Sequence, residues 1–201
     1  MVQSDPRFAE AVAAAVADIE RRSDAEVIVV ASPRSGAYND ILWRVALGAT
    51  YFTLALLVWL PTPFNPDWFL ADCGVAALLA AFVADRIPAF TRAVAGTTRM
   101  TAQVREAAEA AFAAENVHGT RGRTGVLVYI SGFERQVRVV ADHGVLGRIP
   151  PARLAALSIQ ADSLDHFLAG LSAVGDVLAE ALPARDGDNP NEAPDAPRVR
   201  R

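Results

Sequence analysis

The chain has 201 residues, of which 52% are hydrophobic, and a net charge of −4 at pH 7. That balance gives no electrostatic footing for a nucleic acid partner, and because all 19 basic residues are arginine, lysine nucleophiles and Schiff-base chemistry are excluded. The single Cys73 excludes an intrachain disulfide, a CxxC redox pair and a cysteine zinc cluster.

Ser4 to Arg22 carries Phe8, Val12, Val16 and Ile19 at helical spacing, which predicts an amphipathic helix with Ser4 or Asp5 as its cap. Its four acidic residues, Asp5, Glu10, Asp18 and Glu20, separate it from a signal peptide. Ala25 to Ala31 (AEVIVVA) is a β-branched run that predicts a buried strand.

Val45 to Leu60 contains no charged residue, and Leu42, Trp43 and Arg44 extend it close to the roughly 20 residues that a bilayer core requires. Trp43 and Trp59 stand at its two ends as an aromatic belt places them, and Arg44 can reach back to the interface. The prolines of PTPFNPD, residues 61–67, end this helix and delay the next. A second apolar run, Trp68 to Ala84, is broken only by Asp72, one turn from the loop and therefore near the interface. The expectation is a transmembrane hairpin over 42–87, with helices 42–60 and 68–86. A buried helical pair in a soluble fold is the alternative, and the remaining body is too small to wrap both helices. Arg34 and Arg44 precede the hairpin and Arg86, Arg92 and Arg99 follow it, while its loop has no arginine. The positive-inside rule then predicts two spans with both termini cytoplasmic.

Thr98 to Glu115 places Val104, Ala108 and Phe112 on one helical face. Gly125 to Ser131 (GVLVYIS) is apolar throughout, the pattern of a strand covered on both faces. Gly132 to Arg135 predicts a turn, and Gln136 to Ala141 (QVRVVA) a strand near the sheet edge because Arg138 must face outward. Leu154 to Leu182 reads as one or two helices with a break around Asp162 to Asp165. From Pro183 the chain becomes a polar tail without a core of its own. The expected organisation is therefore an α/β domain split between 1–34 and 97–183, an inserted hairpin, and a tail over 184–201. About 120 residues remain outside the hairpin, enough for a three-layer sandwich of helices on a small sheet.

DAEVIVV at 24–30, HGTRGRTGVLVYISGFERQVRVVADHGV at 118–145 and DNPNEAPD at 188–195, taken in order, resemble the TPM domain. This is the domain of thylakoid proteins implicated in photosystem repair and of many bacterial membrane proteins. The chain is most similar to a bacterial branch with a transmembrane hairpin at this position and an ending of the Asn-Glu-Leu-Pro-Asp type. The resemblance implies a Rossmann-like α/β/α sandwich and a place in the bacterial inner membrane. It also implies an acid phosphatase activity or a calcium site in an acidic depression, each linked to some members. The sequence departs from the pattern in lacking an Asp-x-Ala motif before the first helix and in carrying Ala193 at the usual leucine.

Candidate site residues are few. Asp142, in ADHG after a strand, could hold a divalent cation or act as acid or base, or it could form an Asx turn in which Gly144 supplies the unusual φ. Asp24 and Glu26 stand at the mouth of the first strand. They are the other candidate metal ligands, or else Asp24 caps a turn and Glu26 pairs with Arg123 or Arg135. If the first and third strands are parallel neighbours, Glu26 and Asp142 fall at opposite strand ends and shared ligation fails. Glu192 and Asp195 are further carboxylates that a folded-back tail would contribute. His118 beside Gly119 fits a helix C-terminus closed by the glycine. Arg123, in RGRTG, leads into a strand and so is a contact for anionic lipid or solvent rather than a phosphate loop. The stretch GDNPNEAPD lacks the glycine and terminal glutamate of an EF-hand, and no GxSxG, GxGxxG, Walker or HExxH motif occurs.

With no complete catalytic set, the first expectation is an accessory or interaction module for membrane proteins or envelope maintenance, with the lipid bilayer as one partner. The alternative is a weak metal-dependent acid phosphatase using Asp142 and nearby carboxylates. The sequence itself demands no cofactor, and the resemblance admits calcium or magnesium. A transporter is disfavoured because two helices with one interfacial Asp72 provide no polar path.

Overall fold

The apolar stripe of the N-terminal segment forms α1 (Phe8–Arg22) and buries Phe8, Val12, Val16 and Ile19. Its cap differs from expectation. Arg7 holds the N-cap position, where a guanidinium offers no acceptor, while Asp5 accepts from the Arg7 backbone N–H at 2.9 Å and from its Nε at 3.2 Å. The computed structural model describes residues 2–60, 66–157, 159–184 and 195–200. These fall into two units, Met1–Ser35 with Thr101–Arg201, and Gly36–Met100.

The first unit is a mixed α/β sandwich. β1 (Glu26–Ser32) and β2 (Gly125–Ser131) are buried along their whole length, as their unbroken apolar sequences require. They pair in parallel from Glu26 with Gly125 to Ser32 with Ser131. β3 (Gln136–Ala141) returns antiparallel to β2, with Val126 opposite Ala141, and is only partly buried, with Arg138 exposed as expected. The sheet order is β3-β2-β1-β4, in which β4 (Arg198–Val199) lies parallel to β1. The end of the tail therefore joins the sheet. Arg198 and Arg200 both reach Glu115, which explains how so polar a segment is held.

Helices cover both faces. Val27, Val29 and Ala31 pack with Val126 and Val128 against α1 and α8 (Leu164–Ala181). On the other face Ile28, Val30, Leu127 and Tyr129 meet Val104, Ala108 and Ala111 of α5 (Thr97–Ala114). The alternation of β1 and β2 thus supplies two cores from one pair of strands. Two short helices, α6 (His143–Leu146) and α7 (Pro151–Ala155), follow β3. α8 begins after the expected break, where the Ser163 hydroxyl caps it by accepting from the His166 N–H at 3.2 Å.

The second unit contains α2 (Asn39–Trp59), α3 (Phe69–Arg86) and α4 (Pro88–Ala95). α2 is long and apolar enough to cross a membrane, with only 6% of its most apolar window buried. α3 carries Asp72, Asp85 and Arg86 and meets that criterion only together with α4, across a 94° bend. The bend has a local cause: Pro88 lacks the N–H needed to continue α3 and occupies the first turn of α4, where none is needed. At the head of α2, Arg99 forms a two-pronged pair with Asp40 at 2.7 and 2.8 Å.

Gly125 fixes where β2 starts. A Cβ there would stand 2.1 Å from the Val117 carbonyl oxygen, a backbone atom that cannot step aside. Gly125→Ala is expected to cost about 3 kcal/mol and to lower the thermal midpoint by about 8 °C, read by circular dichroism in detergent. An unchanged midpoint would refute the packing argument.

Candidate functional site

The antiparallel return of β3 decides which carboxylates come together. Asp142 follows β3 directly, and its N–H donates to the Gly125 carbonyl at 2.9 Å, while Gly125 is also the register partner of Glu26. Asp142 and Glu26 therefore lie at the same end of the sheet, separated by the β2 strand, about 10 Å between backbones. The arrangement in which they part company, parallel first and third strands, does not occur.

Asp142 is both a cap and a buried carboxyl group. Its Oδ1 accepts from the His143 N–H at 2.7 Å and so starts α6. Its Oδ2 is buried with no hydrogen-bond partner, and its ion-pair contact, Arg123 Nη1, is at 3.9 Å, beyond hydrogen-bond range. Gly144 does not supply a positive φ here. It is needed because a Cβ would lie 2.4 Å from the Gly122 carbonyl oxygen and 2.6 Å from that of Arg123. The positive φ belongs to Arg123 itself, at 53°.

Arg123 thus faces Asp142, and the 121–125 segment packs against α6. Arg135, the other partner expected for Glu26, lies just beyond β2 at the opposite end of the sheet and cannot reach it. Asp24 is half-buried, and its N–H donates to the Leu182 carbonyl at 2.9 Å, tying the mouth of β1 to the end of α8. His118 is exposed in a single 3-10 turn, Val117–Gly119, with its ring 6.4 Å from that of Phe112. The chain turns there through Asn116, at φ 53°, and not through Gly119, whose absent Cβ would strike the Asn116 side chain.

One carboxylate that the sequence hides belongs to this rim. Glu20 accepts from the Val27 N–H at 3.0 Å, and burial pushes its carboxyl up to about 8, with Glu26 and Asp195 adding to the rise by repulsion. The signal was its position, one helical step of four beyond Val16 on the buried stripe of α1. Asp195 does come back to the domain, close enough to act on Glu20, whereas Glu192 lies outside the described residues. Among the described residues no group of three or more His, Cys, Asp or Glu side chains is placed to hold a metal ion.

The far end of the sheet carries a polar knot that sequence reasoning also missed. The Ser35 hydroxyl donates to Ser131 Oγ at 2.7 Å and lies 3.2 Å from the Tyr129 hydroxyl. The Ser131 hydroxyl donates to the Glu134 carboxylate, which also accepts from the Ser35 N–H at 3.2 Å. Gly132 and Phe133 donate backbone N–H groups to Ser32 and Pro33 at 2.9 and 2.8 Å, and Arg34 stacks over Phe133 at 4.2 Å. This knot fastens the segment by which the chain leaves the sandwich.

The fold and rim define a mixed α/β/α sandwich interrupted by an apolar helical unit. No family model matches the chain, and no curated protein matches it. Among solved structures, the NMR structure of the BA42 protein from the psychrophilic bacterium Bizionia argentinensis is similar, with a TM-score of 0.56. The likeness covers 95% of this chain and 91% of that one at 13% identity, a level at which it speaks to the fold alone.

Glu20 gives the rim a measurable pH signature. Its carboxyl is raised from 4.5 to about 8, so the fold favours the protonated form. Its contribution to stability is full below the unfolded value and is lost as pH rises through about 8. Glu20→Gln, which keeps an acceptor for Val27, is expected to flatten the decline of stability between about pH 5 and pH 8 in urea titrations. Parallel curves for both proteins would show that Glu20 is not buried in this way.

Proposed function

We propose that the protein is a membrane-anchored accessory module: a cytoplasmic α/β domain of TPM type, held at the bacterial inner membrane by a two-span hairpin, that acts on other membrane proteins or in envelope maintenance. The observation that carries the reading is the second unit. In α2 large apolar side chains stay exposed along the helix, Trp43 at 76% and Trp59 at 84% among them, and water would not tolerate so long an apolar surface. Arginines flank the hairpin and are missing from its loop, which orients the domain inward. Among the described residues no nucleophile, base and orienting group come together at the rim, which favours a binding role over a catalytic one.

The topology is tested with single cysteines in a Cys73→Ala background. A membrane-impermeant maleimide on intact cells should label Asp67→Cys, and should label Glu106→Cys only after lysis. The protein should also stay in the membrane fraction at alkaline pH. The reverse labelling would invert the orientation, and release at alkaline pH would remove the anchor.

A second reading, a weak metal-dependent phosphatase, is favoured by one feature, the buried Oδ2 of Asp142 without a hydrogen-bond partner. It predicts saturable calcium or magnesium binding by calorimetry and turnover of a phosphomonoester, both abolished by Asp142→Asn. Absence of binding and turnover in the wild-type protein would leave the accessory role alone.

A further inference from the structure

The antiparallel ladder leaves one edge of the sheet open in a defined phase. Because Asp142 donates to Gly125, the residues facing β2 with both backbone groups are Gln136, Arg138 and Val140. Val137, Val139 and Ala141 then direct their N–H and C=O groups away from the sheet, and no described residue meets them. Two adjoining grooves, of about 530 and 350 Å³, run along this edge. On the side of the α1 and α8 core the wall is apolar, made by Leu146, Leu154, Leu157 and Ile159. On the α5 side lie Thr101 and Arg138, and Arg135 stands at the end nearest the polar knot, where the acid of the groove lining, Asp162, is engaged by the His166 ring at 3.1 Å.

The two arginines are unlike most cations of this chain. Both are exposed, and neither has an ion pair or side-chain hydrogen bond among the described residues, whereas Glu109 at the other end already faces Arg105 at 3.8 Å. We propose that the open β3 edge is a docking groove for an extended acidic peptide segment of a partner protein, taken up as a fifth strand. This deepens the accessory reading and rests on it. The pattern of the segment follows from strand geometry. Successive side chains of an added strand point to opposite faces, so one set meets the apolar wall and the alternate set meets the arginine side. The partner segment therefore alternates apolar residues with aspartate or glutamate over about five residues. A second copy of this chain is the wrong occupant, because an antiparallel copy centred on Val139 would bring both Arg138 side chains to one face as diagonal neighbours and supply no acid to either.

The test uses the full-length protein in detergent and a fluorescein-labelled decapeptide alternating valine and threonine with aspartate and glutamate. Fluorescence anisotropy should show saturable binding, weakened by salt, and none for the same peptide with arginine at the acidic positions. Arg135→Gln with Arg138→Gln should weaken binding at least tenfold. Val139→Pro should do the same, because it removes an outward N–H while leaving the β2 ladder intact, as an edge position tolerates. Should Val139→Pro fail to fold, amide exchange in the wild-type protein decides: Val137, Val139 and Ala141 must slow when peptide is added. Absence of binding, binding indifferent to Val139→Pro in a folded protein, or unchanged exchange would overturn the proposal. So would displacement of the peptide by phosphatidylglycerol vesicles with no exchange slowing, which would assign the arginines to lipid headgroups. Maleimide labelling and alkaline extraction are read separately, so a failed peptide leaves the anchored module standing, and a failed anchor is seen whatever the peptide does.

Discussion

Parallel pairing of Glu26–Ser32 with Gly125–Ser131 is the constraint on which the rest depends. Parallel neighbours cannot be joined by a tight turn, so a long crossover must leave one end of β1 and re-enter at the other end of β2. Here that crossover holds α5, which any such unit needs, and also the whole of residues 36–100. The entropy of closing a loop grows only slowly with its length, so an insertion in this connection costs the sandwich little. The same pairing places Gly125 between Glu26 and the Asp142 backbone and makes the acidic rim a property of the sheet rather than of a loop.

The two ends of the sheet are chemically distinct. At one, Glu20 lies within electrostatic reach of Glu26 and Asp195, while Asp142 stands a strand away and faces Arg123. Burial first, and the nearby carboxylates second, raise the Glu20 carboxyl. At the other, Ser35, Tyr129, Ser131 and Glu134 satisfy one another's hydrogen bonds around the exit of the chain. At the first of these ends the carboxylates of Glu26 and Asp142 are held apart by the width of the β2 strand between them. The open β3 edge is a third kind of surface, where the backbone itself is the recognition element.

Much of this was legible in the sequence, and the parts that were not share a cause. Gly125–Ser131 and Gln136–Ala141 could be bounded to the residue because an apolar run between glycine and charged residues has one reading. α2 was legible for the same reason. α4 was missed, although Pro88 is the residue that starts it, because about two amphipathic turns beside a long apolar helix add no clear period. The relation of Glu26 to Asp142 depends on strand direction, which β3 takes from the four-residue turn at 132–135 and not from composition. Gly119 and Gly144 were read as conformational glycines, yet both serve as gaps for neighbouring atoms, and the turns are made by Asn116 and Arg123. Glycine in a sequence does not say which of its two uses is employed. The docking of Arg198–Val199 needed Glu115, a residue far away in the chain, and no local pattern could reveal it.

The knot around Ser35 has a mechanical meaning. Tension along the backbone between the hairpin and the sandwich enters at the carboxyl end of β1. Seven register pairs hold β1 to β2 beyond that point, a continuous parallel ladder. The contacts of Ser32, Pro33 and Ser35 with the 131–134 turn lie before them and can give way one at a time. The chain thus has a yielding element in series with a stiff one, so that strain on the connecting segment is met at the exit before it reaches the sheet.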